Sequence, residues 1–135
     1  MEKYTLKEDI HLICVRATSF PDGVGEAFQK LEQNEASIAN RKFFGISRGS
    51  DKGIIYWAAV EEAFKGEAYT FGLEQYVVKK GVYATKIVEN INGNEGLIGK
   101  TFNKLLSHLQ LDPMGECVER YERENEVLCM VRILE

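Results

Sequence analysis

The sequence predicts an α+β protein in which a β-α-β-β unit occurs twice. The two units are expected to form one curved, largely antiparallel sheet with two helices on one face and a concave ligand cleft. Two observations lead to this prediction. Strand-like and helical segments follow the same order in both halves of the 135-residue chain. In addition, glycine, phenylalanine, lysine and leucine recur in register between the helical segments 25–31 and 99–105, which indicates an internal duplication.

The first unit is predicted to cover residues from about 9 to 62. Residues 10–17 are β-branched and apolar, which is typical of a strand buried on both faces. Residues 42–47 and 54–61 are predicted to form a hairpin. Between them and the first strand, apolar residues recur at helical spacing, namely Val24, Ala27, Phe28 and Leu31. We expect this helix to end near residues 36–39.

The second unit is predicted to cover residues from about 76 to 134. A polar connector at 65–69 and an extended piece at 75–78 lead to a strand over 81–88. A helix follows, marked by Ile98, Phe102, Leu105, Leu106 and Leu109. We expect it to end near residues 111–113, because Pro113 cannot continue a helix. Residues 115–121 and 127–134 then give two strands around a polar turn.

Composition excludes several classes of function. The chain carries 17 basic and 21 acidic residues, for a net charge of −4, so nucleic-acid binding is not expected. Its first nine residues have no apolar core for a signal peptide, and no later apolar run reaches membrane-spanning length, so neither a leader nor a membrane span is expected. The prediction is therefore a cytoplasmic protein. Three cysteines, an odd number with no CxxC pair, are expected to be reduced core thiols.

The strand at 115–121 contains the main candidate for a functional residue. Because side chains alternate along a strand, Cys117, Glu119 and Tyr121 share one face. If that face is enclosed, Glu119 is a negative charge beside an aromatic ring in a low-dielectric hollow, which suits a cationic guest. If the face meets water, Glu119 is an ordinary solubilising residue.

Three aromatic residues are further candidates for contact with a ligand. Trp57, the only tryptophan, lies in the middle of a predicted strand and points away from Tyr56. Trp57 is either core filler or a wall of a ligand cavity. Tyr56 and Tyr83 are likewise either cavity walls or ordinary packing residues.

Short motifs in order along the chain resemble the GyrI-like small-molecule-binding domain. They are Phe-Gly-Ile-Ser at 44–47, Tyr-Trp-Ala-Ala-Val-Glu at 56–61, Gly-Val-Tyr-Ala at 81–84, and 115–121 with its Val-Glu-x-Tyr core. That family includes gyrase inhibitors and the effector-binding domains of bacterial multidrug-sensing regulators. The resemblance implies an SHS2-type duplication whose pocket binds hydrophobic, often cationic compounds, with Glu119 as the acidic contact.

The chain departs from the family pattern at two places. It has Ser107 and His108 where members often carry a tryptophan, and it lacks the proline of their last strand at 130–134. Regulators of the family carry a helix-turn-helix ahead of this domain, for which these 135 residues leave no room. The expected function is therefore a stand-alone sensor or binder.

Enzymatic chemistry has few candidate residues. His11 and His108 are the only histidines, and their spacing supports neither a metal site nor a catalytic triad. No cofactor is predicted; haem, bound by SOUL-type proteins of related fold, lacks a convincing axial ligand. A binder using Glu119, Tyr121, Trp57, Tyr56 and Tyr83 is the first hypothesis. The resemblance to the family implies two alternatives. One is a hydrolase of strained cyclopropanoid rings, with Glu119 as acid or base, and the other is an inhibitor of the gyrase-inhibitor kind that binds a protein partner, for which the acidic patches are candidates.

Overall fold

The computed structural model describes residues 2–33, 40–94 and 96–134. These residues form eight strands and three helices: β1 (Glu2–Leu6), β2 (Ile10–Arg16), α1 (Val24–Gln33), β3 (Phe43–Ser50), β4 (Gly53–Glu61), α2 (Glu67–Phe71), β5 (Glu74–Val78), β6 (Gly81–Glu89), α3 (Gly96–Leu105), β7 (Cys117–Arg123) and β8 (Glu126–Arg132). The predicted α+β class and both β-α-β-β units, β2-α1-β3-β4 and β6-α3-β7-β8, are confirmed.

The chain divides into two compact units. The first unit is Asp9–Val78, and the second unit combines Met1–Glu8 with Lys79–Glu135. Each unit contains four antiparallel strands, in the order β3-β4-β2-β5 in the first and β1-β6-β8-β7 in the second. The two orders correspond when one of them is read backwards, so that β3, β4, β2 and β5 match β7, β8, β6 and β1. In each unit, the first strand of the β-α-β-β unit pairs with one additional strand, β5 or β1.

In the first unit, α1 packs on one face of the sheet. Its buried residues Ala27 and Leu31 contact β2 and β4 residues on that face, among them Ile13, Ala58 and Val60. These positions alternate along their strands, as a sheet with one helix-covered face requires.

In the second unit, α3 takes the equivalent place. Phe102 and Leu105 pack in one cluster with Ala84 and Val88 of β6 and with β8 residues, among them Cys129. Cys117 and Tyr121 of β7 pack against the same cluster.

Strand β1 was not predicted. Residues 2–6 pair with β6 along its outer side, and four of the five are exposed. An edge strand with charged residues such as Glu2 and Lys3 has no apolar alternation, and so it gives no strand signal in the sequence.

Two expectations about helices are wrong. The segment 65–69, expected to be a connector, contains the start of α2, a single turn bounded by Gly66 and Gly72 with φ of 89° and 67°. Helix α3 ends at Leu105, several residues before Pro113. Beyond it, the amides of Ser107 and His108 donate to carbonyls three residues back, and Ser107 Oγ donates to Lys104 O at 2.6 Å, so the chain tightens and leaves the helix.

The other boundaries agree with expectation to within a few residues. The predicted end of the first helix, at 36–39, lies outside the described residues. The hairpin of β3 and β4 turns tightly, with paired residues Ser50 and Gly53, because Gly53 adopts a φ of 103°. Among the described helices, none has both the length and the apolar character needed to cross a membrane.

Candidate functional site

Glu119 lies in the middle of β7 and is buried, with 7% of its surface exposed. Its carboxylate Oε1 accepts a hydrogen bond of 2.6 Å from the phenol of Tyr121, two residues along the strand. The alternation of the strand therefore brings together the two residues that the sequence suggested. Glu119 is therefore buried and is not a solvated surface residue, and its contact with a ligand stays a prediction.

A buried thiol is one of the neighbours of Glu119. Cys129 stands directly opposite on β8 and is fully buried. Burial raises the pKa of the Cys129 thiol from 9.0 to about 12, with further contributions from the charges of Glu119 and Cys117. The thiol thus stays protonated at neutral pH beside the carboxylate.

The Glu119 face of the sheet is the face that α3 covers in the second unit. Cys117 and Tyr121 pack against the cluster that contains Phe102 and Leu105. Helix α3 contacts β6 and β8, and β7 lies one strand further out, on the other side of β8. Glu119 and Tyr121 are therefore beside the helix rather than beneath it.

Tyr83 is not part of this arrangement. In the register of β6, β8 and β7, Lys86 pairs with Cys129 and Cys129 pairs with Glu119, so Tyr83 points to the opposite face of the sheet. Its side chain is 3% exposed, and its phenol donates a 2.5 Å hydrogen bond to Lys79 O.

Tyr56 and Trp57 belong to the first unit and point to opposite faces of β4. Tyr56 is buried in the cluster under α1, where its ring packs with Phe20 at 5.7 Å and with Phe28 at 6.4 Å between centroids. Trp57 is half-buried on the face away from α1, next to the guanidinium groups of Arg16 and Arg48.

A buried ion pair in the first unit was missed by the sequence analysis. Glu67, at the start of α2, is completely buried and receives two hydrogen bonds of 2.7 Å from Arg41. The backbone amide of Ala63 donates a third, at 2.9 Å. Arg41 also donates to the Glu61 carbonyl at 3.1 Å, so the pair connects the start of β3 to the end of β4 and to α2.

The first unit also has an open recess of about 420 Å³, lined by residues 9–11 and 61–65, within the range of small-molecule sites. It contains none of the five predicted ligand contacts. Among the described residues, no group of three or more His, Cys, Asp or Glu side chains is placed to hold a metal ion.

Comparison with known proteins shows similarity at the level of the fold. No protein-family model matches the chain, and no curated protein matches it. Solved structures do match, and one of them is the integron cassette protein VCH_CASS2 of Vibrio cholerae. It has a TM-score of 0.71 and 17% identity, over 98% of this chain and 95% of that one.

Two other solved structures match with a TM-score of 0.59 and 9% identity. A hydrolase from Listeria innocua aligns over 98% of this chain and 90% of its own. The protein SAV2435, solved bound to tetraphenylphosphonium, aligns over 98% of this chain and 94% of its own. At these identities the similarity establishes a shared fold, and that fold includes a protein that binds a small organic cation.

Proposed function

We propose that the protein is a GyrI-like binder of small hydrophobic organic molecules, cationic ones among them. Glu119 supplies the charge that a cationic guest contacts, and Tyr121 supplies an adjacent aromatic ring. The observation that carries this proposal is the burial of Glu119 beside Tyr121 and a protonated thiol. The fold shared with a tetraphenylphosphonium complex supports it.

The physical reason for cation selectivity is the burial of the carboxylate. At about 4 Å, two unit charges attract by about 1 kcal/mol in water and by about 4 kcal/mol at the effective dielectric of a protein site. A lipophilic cation spreads its charge over aromatic groups, so it loses little hydration on entering such a site. The Tyr121 hydroxyl, bonded to Oε1, fixes the carboxylate, and its ring adds cation–π attraction.

The other three predicted ligand contacts, Tyr56, Tyr83 and Trp57, have less support from the structure than Glu119 and Tyr121. A ligand contact at Tyr56 requires rearrangement of the packing with Phe20 and Phe28. A ligand that touches Tyr83 does so on the face of β6 opposite to Glu119. Trp57 has two arginines beside it, a setting that disfavours a cation.

The proposal is tested with two ligands that share three phenyl rings and differ in charge, methyltriphenylphosphonium and triphenylphosphine oxide. Isothermal titration calorimetry should give a dissociation constant at least about tenfold lower for the cation, since about 1.4 kcal/mol separates the two. Equal affinities would show that no carboxylate contributes to binding. Absence of binding for both would remove the proposed function itself.

A second candidate is a hydrolase that acts on strained rings. The hydrogen bond between Glu119 and Tyr121 pairs a carboxylate with a phenolic proton donor, and both groups can serve in general acid–base catalysis. A hydrolase from Listeria innocua shares the fold. Turnover of a cyclopropane-bearing substrate, lost in Glu119→Gln, would establish this activity. A panel of such compounds that the protein binds and leaves unchanged would eliminate it.

A further inference from the structure

Trp57 lies between two arginines on the surface of the first unit. The guanidinium carbon of Arg48 is 5.4 Å from the centroid of the Trp57 ring, and that of Arg16 is 5.9 Å away. Both distances fall within the range of a cation–π interaction. Both arginines are exposed, and Trp57 is half-buried, so the group is accessible to a ligand from solvent.

The register of the strands creates this cluster. Trp57 pairs with Arg16 on β2 and with Ile46 on β3. Paired residues share a face of the sheet, and Arg48 lies two residues beyond Ile46 on the same strand. The three side chains therefore project from three neighbouring strands toward one place, on the face of the sheet that α1 does not cover.

The cluster has an excess of positive charge. Because the two guanidinium groups lie 5.4 and 5.9 Å from one centroid, two positive charges are concentrated around the Trp57 ring, and each is within the screening length of about 8 Å in physiological salt from that centre. Within the described ranges, neither arginine has a carboxylate partner. Arg41 and Arg120, by contrast, are held by Glu67 and Glu122.

Two unpaired guanidinium groups form a receptor for an anion. Guanidinium presents a planar fork of donors that matches the oxygens of carboxylate, phosphate or sulfate. An anion that approaches the cluster from solvent, beside the Trp57 ring, would relieve the repulsion between the two arginines and accept charge-assisted hydrogen bonds from them. The edge of the Trp57 ring and the neighbouring Ile55 offer apolar surface to the rest of the same molecule.

We propose that Arg16, Trp57 and Arg48 form a binding site for a small organic anion, in which a carboxylate, phosphate or sulfate is attached to an apolar group. This site would be additional to the cation contact at Glu119, which is in the other unit. The small size of the cluster and the net charge of −4 favour a small molecule over a nucleic acid.

The chain contains its own reporter for this site, because Trp57 is the only tryptophan. Phenyl phosphate is titrated into the full-length protein while tryptophan fluorescence is followed, and inorganic phosphate serves as the comparison without an apolar group. We expect saturable quenching or a shift of the emission, tighter binding of phenyl phosphate than of phosphate, and weaker binding as salt rises.

Variants assign the response to the arginines. Arg16→Gln and Arg48→Gln are each expected to weaken phenyl phosphate binding about tenfold, in keeping with the loss of one charge-assisted hydrogen bond. Arg123→Gln is the matched control, an exposed arginine on β7 in the second unit, and should leave binding unchanged. Glu119→Gln should also leave it unchanged, which separates this site from the proposed cation contact.

Three results would overturn the inference. The first is absence of a saturable response to phenyl phosphate at millimolar concentration. The second is a response that both arginine variants retain at wild-type affinity. The third is tighter binding of a short single-stranded oligonucleotide than of phenyl phosphate, which would assign the cluster to nucleic acid instead.

Discussion

Replacing Arg41 by methionine should destabilise the protein by about 3–5 kcal/mol, far more than the loss of an exposed ion pair. The Glu67 carboxylate is completely buried, and Arg41 satisfies it through both oxygens at 2.7 Å. Methionine resembles the aliphatic stem of arginine in length and flexibility, and it carries no charge. The substitution therefore leaves Glu67 with the Ala63 amide but without the cation that compensates its buried negative charge.

The size of the effect follows from this burial. Removal of one partner of a buried ion pair costs about 3–5 kcal/mol, because an uncompensated charge remains in a medium of low polarity. The entropy of unfolding of a 135-residue chain is about 0.28 kcal/mol/K. A loss of about 4 kcal/mol therefore lowers the melting temperature by roughly 14 °C.

The double variant Arg41→Met, Glu67→Leu shows how much of the lost stability comes from the uncompensated charge of Glu67. Replacement of both partners by apolar side chains is expected to restore most of the stability, since the desolvation cost disappears with the charges. Glu26→Gln is the control, because Glu26 pairs with Lys30 at 3.1 Å on the exposed face of α1. Its loss should change the free energy of unfolding by less than about 0.5 kcal/mol.

Urea unfolding followed by circular dichroism measures the three variants and the wild type, in low and high salt. The cost of Arg41→Met should be nearly independent of salt, because buried charges are little screened. A cost below about 1 kcal/mol, or a double variant less stable than Arg41→Met, would refute the argument that the pair is buried and mutually dependent.

Three further outcomes are expected. Tyr121→Phe should lower the free energy of unfolding by about 1.5–3 kcal/mol, because the lost hydroxyl donates to the Glu119 carboxylate. Tyr83→Phe should lower it by only about 1 kcal/mol, because the acceptor of the Tyr83 hydroxyl is a neutral carbonyl. Equal losses of the two variants in urea unfolding would contradict this difference. Burial raises the pKa of the Cys14 and Cys129 thiols to about 12, whereas in the unfolded chain these thiols lose their protons near 9.0. The free energy of unfolding should therefore fall as the pH rises from 9 toward 12. Cys14→Ala should make this decrease with pH less steep, and an unchanged decrease would show that Cys14 does not cause it. At pH 8, a maleimide should label the half-buried Cys117 before the two buried cysteines; mass spectrometry with peptide mapping showing Cys14 or Cys129 first would count against the burial described.

The elements of the fold were predictable where the sequence pattern is local. Strand β2 is apolar and β-branched, and the helices α1 and α3 have apolar residues at helical spacing. A window of about ten residues is therefore enough to predict each of these elements. Strand β1 and helix α2 have no such local pattern. The first is a short polar edge strand, and the second is a single turn whose glycine boundaries resemble a loop.

The candidate site was predictable only in part, for the same reason. Strand alternation alone places Glu119 and Tyr121 on one face, but the burial of Glu119 depends on the elements packed around β7. The pairing of Arg41 with Glu67, and of Trp57 with two arginines, depends on register between residues distant in sequence. An isolated arginine or glutamate gives no sign of such a partner.

The proposed function depends on attraction between the carboxylate of Glu119 and a cationic guest. Calorimetric titration of tetraphenylphosphonium into wild type, Glu119→Gln and Glu124→Gln tests it most directly, because Glu124 is an exposed glutamate in the turn after β7. With all three proteins folded by circular dichroism, Glu119→Gln should bind at least about tenfold more weakly than the other two. Binding by Glu119→Gln at the affinity of the wild type would contradict the claim.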